Sequence, residues 1–204
     1  MLSFPVNVAL TVAFGLTGAY CLVHLITSRR RILAGTGPRT LTDAEVVDLN
    51  HGLMSAAMIL MTWVMIGDAA LWALVALFVV LAVSLSLNWR RAGSTVNRVD
   101  VGSHVLLDVA MIWMLVAMPL LMAGSAAGHD HGGHAHHGDH GAAAVAAATP
   151  AWAHAINLGF VGLCAAAALW WLGRTVTGRR HRLHAGCHTV MAAGMGVMLV
   201  AMSA

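Results

Sequence analysis

Charge is scarce in this chain. Only 9% of its 204 residues are charged, and all eleven basic residues are arginine, whereas a soluble domain carries about a quarter charged residues. With 59% apolar residues and a mean hydropathy of +0.79, an ordinary soluble domain is excluded. Cysteine is nearly as sparse. Cys21, Cys164 and Cys187 show no CxxC spacing and no even-numbered framework, so no disulfide is expected. Cys21 and Cys164 fall in apolar runs, where a thiol acts as a small apolar group. Cys187 adjoins His188, and a thiolate beside an imidazole suits a soft metal. No GxSxG, Walker loop, HExxH or GxGxxG is present, and no segment is large enough for ATP-driven work, so no enzymatic activity is expected. The opening MLSFPVNVALTVAFG lacks the basic region of a cleavable signal and reads as a first span running from outside to inside.

What is present is a series of long apolar runs. Crossing about 30 Å of hydrocarbon takes roughly 20 helical residues, and six stretches qualify: 6–27, 51–67, 69–88, 103–124, 152–173 and 185–203. Gly67-Asp68 reads as a tight turn, with Asp68 capping the next helix. Period-two alternation is absent, so the spans are helices and the fold class is an all-α integral membrane protein.

The arginines set the expected topology. They cluster at Arg29, Arg30, Arg31 and Arg39, at Arg90, Arg91 and Arg98, and at Arg174, Arg179, Arg180 and Arg182. These are alternate connections, and positive charge stays on the cytoplasmic side, so both termini face outward across a bacterial plasma membrane. The basic balance follows from topology, and no nucleic-acid partner is implied.

A repeat underlies the pattern. With His51, His104 and His188 as zero, position +3 holds Met54, Leu107 and Met191, and +7 holds Met58, Met111 and Met195. At +10 stand Met61, Met114 and Met198, and at +14 Met65, Met118 and Met202. Each copy follows an apolar span and an arginine pair, so the chain reads as three tandem hairpins, with the second helices arranged about a pseudo-threefold axis. Apart from Met1, every methionine lies on these three helices, and only Met122 is off schedule. Steps alternating three and four trace one face of a helix. Methionine often fills such a seam as packing, but the odd-numbered spans fill theirs with Leu and Val.

Thioether sulfur is a soft neutral ligand preferring Cu(I), and imidazole serves Cu, Zn, Ni and haem iron. Neutral ligands add no buried anion to an apolar interior, and repeated comparable sites are what conduction requires. Asp108, one turn above His104, is the one carboxylate well inside a span, placed to orient His104, relay a proton or ligate metal. His24, near the inner end of the first span, has no counterpart in the other hairpins. The segment 125–149 reads as a disordered external loop. Its His129, His131, His134, His136, His137 and His140, with Asp130 and Asp139, form a sponge for Zn, Cu(II) or Ni, and His154 lies just beyond.

The apolar first span with TGAYCLVHL, the RRR stretch, the NHGLM entry and the His-rich loop resemble an uncharacterised actinobacterial family of small integral membrane proteins, a domain of unknown function. The resemblance covers nearly the full length and implies an association with copper handling. The methionine layering is also similar, by analogy, to the Met-lined pore of Ctr-type copper transporters. MxxxM occurs here as Met54–Met58, Met61–Met65, Met118–Met122 and Met191–Met195.

The expected function is Cu(I) binding along a His/Met conduit, with transport or transfer of the ion. A copper chaperone, pump or cuproenzyme is the expected partner, and a homo-oligomer is compatible. Two rivals stand beside it: a b-type haem electron carrier with axial His or Met, and a metal-presenting chaperone or partner subunit.

Overall fold

A computed structural model describes residues 4–35, 43–64, 66–91, 94–126, 150–178 and 182–203. These form six helices: α1 (Phe4–Leu33), α2 (Asp43–Trp63), α3 (Asp68–Arg91), α4 (Thr95–Ala126), α5 (Ala151–Thr177) and α6 (Arg182–Ser203). Among the described residues there is no strand. The expected loop 125–149 lies almost wholly outside the described residues, as does Met65.

Among the described residues, five helices, all except α2, are long and apolar enough to cross a membrane. All six expected helices are present, and the second is less apolar than expected. That helix begins at Asp43 rather than at 51 and carries Glu45, Asp48, Asn50 and His51 in its first half. These side chains lower its hydropathy, yet all four are buried, so they face other helices. Early acids also suit the positive end of the helix dipole. Asp68 is the first residue of α3 rather than its cap, and the Leu71 amide donates to the Gly67 carbonyl at 3.0 Å.

Packing is most extensive within α1/α2, α3/α4 and α5/α6, the three expected hairpins. α6 also packs on α1 and α4, and α5 on α4. Polar bonds tie the hairpins. Trp171 Nε1 on α5 donates to Ser103 Oγ on α4 at 3.0 Å, and Arg174 pairs with Asp100. Further along, Asn157 Nδ2 donates to the Leu199 carbonyl at 2.8 Å and its Oδ1 accepts from Trp113 Nε1 at 3.3 Å. Glu45, buried at the α1/α2 end, accepts from Ser28 and pairs with Arg29.

One continuous core runs through the bundle. Met54, Met58, Met111, Met114, Met191, Met195 and Met198 are buried in it with Phe14, Phe78, Leu107 and Leu199. Met61 and Met202 pack against its edge, and Met118 is half-buried. The stripes of α2, α4 and α6 thus face one interior. The odd-numbered helices turn apolar side chains outward, among them Leu16, Val23, Trp72, Val80, Val83, Leu169 and Val176.

Candidate metal centre

At the lower end of that core the three histidines meet. His51, His104 and His188 come from α2, α4 and α6, each the second helix of its hairpin. All three are buried, and their ring centroids stand 5.0, 4.4 and 4.7 Å apart, close to an equilateral triangle. One nitrogen from each lies within 4.8 Å of the others.

The hydrogen bonds fix two tautomers. His51 Nδ1 is 2.9 Å from the Val47 carbonyl, which only accepts, so Nδ1 carries the proton and Nε2 presents its lone pair. His188 Nδ1 is 2.8 Å from that Nε2 and therefore donates to it. Anchoring the distal N–H on a backbone carbonyl is the usual way a ligating imidazole is oriented. Metal–nitrogen bonds of about 2.0–2.1 Å put three trigonal ligands about 3.5 Å apart. An ion held in the triangle would take the place of the hydrogen on His188 Nδ1, that proton moving to Nε2 of the same ring so that the ligand stays neutral, and would open the contact with His51 by under about 1 Å.

Trp171 closes one side. Its ring lies 4.5 Å from His188 and 5.6 Å from His104, nearly parallel to the latter, and shields the cluster from water. His184 stands against His188 at 4.3 Å, one helical turn before it.

In and beside the triangle is a set of unsatisfied polar atoms. Both carboxylate oxygens of Asp108 are buried with no hydrogen-bond partner among the described residues. The same holds for Nδ1 of His104 and both amide atoms of Asn50, the side chain that faces Asp108 without closing a bond of ordinary geometry. A fully buried carboxylate without a partner is expensive, and buried polar groups are nearly always bonded. Such an arrangement fits an ion or an ordered polar ligand.

Of the residues expected to act together, the structure assembles the three histidines at one level. It buries the methionines of all three stripes in one core and sets Asp108 beside them. Cys187 is a free, half-buried thiol outside the triad. Met65 and the six loop histidines lie outside the described residues. Sequence reasoning missed Asn50, Asp48, His184 and Trp171. The spacing of His184 four residues before His188, on one helix face, was the available signal.

No curated protein matches the chain, and no solved structure does. A family model covers residues 42–202, from just before α2 to the end of α6, taking in all three histidine helices. The chain therefore belongs to the family described as Domain of unknown function (DUF5134).

Proposed function

We propose that this protein is a multi-pass membrane protein that binds Cu(I) at the His51–His104–His188 triangle and moves or transfers it along the methionine-lined core. The observation that carries the reading is the convergence of three buried imidazoles beneath three buried methionine stripes. Three neutral nitrogens match the low coordination number and soft character of Cu(I), and thioethers above them supply successive weak sites. At about 1.5 Å per helical residue, the layers at +7 and +14 lie roughly 10 and 21 Å from the histidines, a large part of a bilayer. Asp108 supplies the negative charge that balances a monovalent cation in an apolar interior.

The pseudo-threefold order of the even-numbered helices is supported by the near-equal ring separations. Crossing of the membrane is supported by the five long apolar helices and by the outward Leu, Val and Trp side chains. The arginine distribution orients both termini and the loop 125–149 outward, and puts the histidine triangle toward the cytoplasmic mouth. The external histidines then act as a capture zone for Cu or Zn, and a copper chaperone, pump or cuproenzyme receives the ion.

A b-type haem fits the triangle less well. Axial ligation sets a flat macrocycle between two imidazoles, and here the third ring and Trp171 occupy the flanking space. A role limited to holding and presenting the metal shares the site and differs only in flux.

The decisive experiment is an anaerobic Cu(I) titration against a chromophoric chelator. It uses full-length protein in which His129, His131, His134, His136, His137 and His140 are replaced by Asn, so that the loop does not count as a site. The expected result is one tightly held Cu(I), weakened by Met58→Leu, Met111→Leu and Met195→Leu together. Absence of tight Cu(I) would falsify the reading and leave the stripes as packing. Reconstituted vesicles then separate transport from presentation by measuring flux.

A further inference from the structure

A second group of metal-ligating side chains gathers from three helices next to the triangle. Asp48 on α2 is 1% exposed, and its Oδ2 accepts from Nδ1 of His24 on α1 at 2.6 Å. Its Oδ1 has no hydrogen-bond partner among the described residues and faces Nδ1 of His184 on α6 at 4.0 Å. The rings of His24 and His184 lie 6.0 Å apart at 30°, one on each side of the carboxylate. Access is graded: the His24 side chain is 52% exposed, that of His184 29%, and His188 behind it 1%.

Each imidazole lies beside one oxygen of the carboxylate, and one ion gathers all three ligands once the half-exposed His24 ring swings toward His184. Bonds of about 2.0–2.2 Å to nitrogen and oxygen leave ligand atoms about 3–4 Å apart. His184 already meets that distance from Asp48, and His24 reaches it in that swing, which its half-exposed side chain allows. The donor set differs from that of the core. Two imidazoles and a carboxylate, without sulfur, suit a borderline divalent first-row ion better than Cu(I). The buried carboxylate oxygen without a hydrogen bond is what such an ion would satisfy.

We infer that His24, Asp48 and His184 form a second metal site, for a divalent first-row ion, open on the His24 side and sharing one wall with the histidine triangle. An ion there holds His184 in place, and that ring stands against His188. The inference does not rest on the copper reading, since none of its ligands belongs to the triangle or the methionine stripes.

Co(II) is the probe, because its visible absorption reports low-coordinate nitrogen and oxygen sites. The protein is the full chain with the six loop histidines replaced by Asn. One equivalent of Co(II) with intense visible bands is expected. Both His24→Ala and Asp48→Asn should weaken binding by at least about tenfold, while His104→Ala leaves it intact. Asp48 is buried, so its variant carries weight only if helix content by circular dichroism is native. His24 is half-exposed, and its variant decides the matter alone. Bands that persist in His24→Ala, bands lost in His104→Ala alone, or no bands at all overturn the site. A chain that binds Co(II) in this way but holds no Cu(I) keeps this inference and loses the copper reading.

Discussion

The even-numbered and odd-numbered helices of this bundle are built on opposite plans. Among the described residues, the buried polar side chains other than Thr17 and Asn157 lie on α2, α4 and α6: Glu45, Asp48, Asn50, His51, Ser55, Ser103, His104, Asp108 and His188. The methionines of the core lie there too. α1, α3 and α5 offer Leu, Val, Phe and Trp, much of it facing outward. Burying a polar side chain costs free energy unless a partner offsets it. A bundle that needed only stability would spread leucine over both sets of helices. The even-numbered helices instead concentrate the costly groups toward the histidine end of the core, which is the pattern of an interior made to receive something.

The sharpest way to break this contrast is to remove one vertex of the triangle. His104→Ala deletes an imidazole whose ring touches His51, His188 and Trp171. Loss of a group that only orients a ligating side chain costs about 10–100-fold in metal affinity, and loss of a ligand should exceed that, so Cu(I) affinity should fall by more than about 100-fold. Chelator competition measures it. Replacing the half-exposed His184 by Asn should cost much less, and equal losses would mean that the buried triangle is not the site.

How much of this was legible in the sequence differs between the two sets. Apolar runs revealed the odd-numbered helices well, because an outward-facing jacket reads directly as hydropathy. The His-Met schedule revealed the inner face of the even-numbered helices and the level at which their histidines meet, because a seam of alternating threes and fours survives any uncertainty about helix ends. The first turns of α2 were misread. Glu45, Asp48 and Asn50 resemble a polar connection when averaged, and only packing against α1 and α6 turns them inward. His184 and Trp171 were invisible for a related reason. Their roles come from contacts between distant helices, and a single sequence does not encode which helix lies beside which.

The contrast can also be tested at the seam between the two sets, with an effect on stability rather than binding. Gly194 on α6 faces Phe14 on α1 so closely that a Cβ there would stand 2.5 Å from the ring, and Phe14 is fully buried. Gly194→Ala should destabilise the bundle by about 1–3 kcal/mol through overpacking. Gly15, one residue from the same ring, has open space around its Cα, and Gly15→Ala should be neutral or slightly stabilising. Thermal unfolding of the two variants in one detergent compares them. Similar melting shifts would mean that α1 does not dock on α6 as described.

Asp108→Asn sharpens the claim that the polar interior is costly when nothing occupies it. The substitution keeps shape and replaces a buried acid, costly in its charged form, whose oxygens have no hydrogen-bond partner among the described residues. Metal-free protein should therefore unfold at a higher temperature, by an amount corresponding to about 1 kcal/mol. Cu(I) binding should weaken by about tenfold, or about 1.4 kcal/mol, because the cation loses its counter-charge. Opposite signs for the two measurements are the signature. A loss in both would make Asp108 a structural residue whose partner is a protein group.

The smallest expected effect is also the most diagnostic of the methionines. Met111 is fully buried in the core two turns above His104, and leucine has nearly its volume. Met111→Leu should change stability by less than about 1.5 kcal/mol, the usual range for a volume-conserving swap. If the stripe is packing, nothing else changes, because dispersion and area burial are alike for the two side chains. If sulfur meets the ion, Cu(I) affinity or flux falls several-fold while Co(II) binding at His24, Asp48 and His184 is untouched, since that site contains no thioether. A Cu(I) defect without a Co(II) or stability defect has no explanation in packing, so this modest substitution separates the two readings of the stripe.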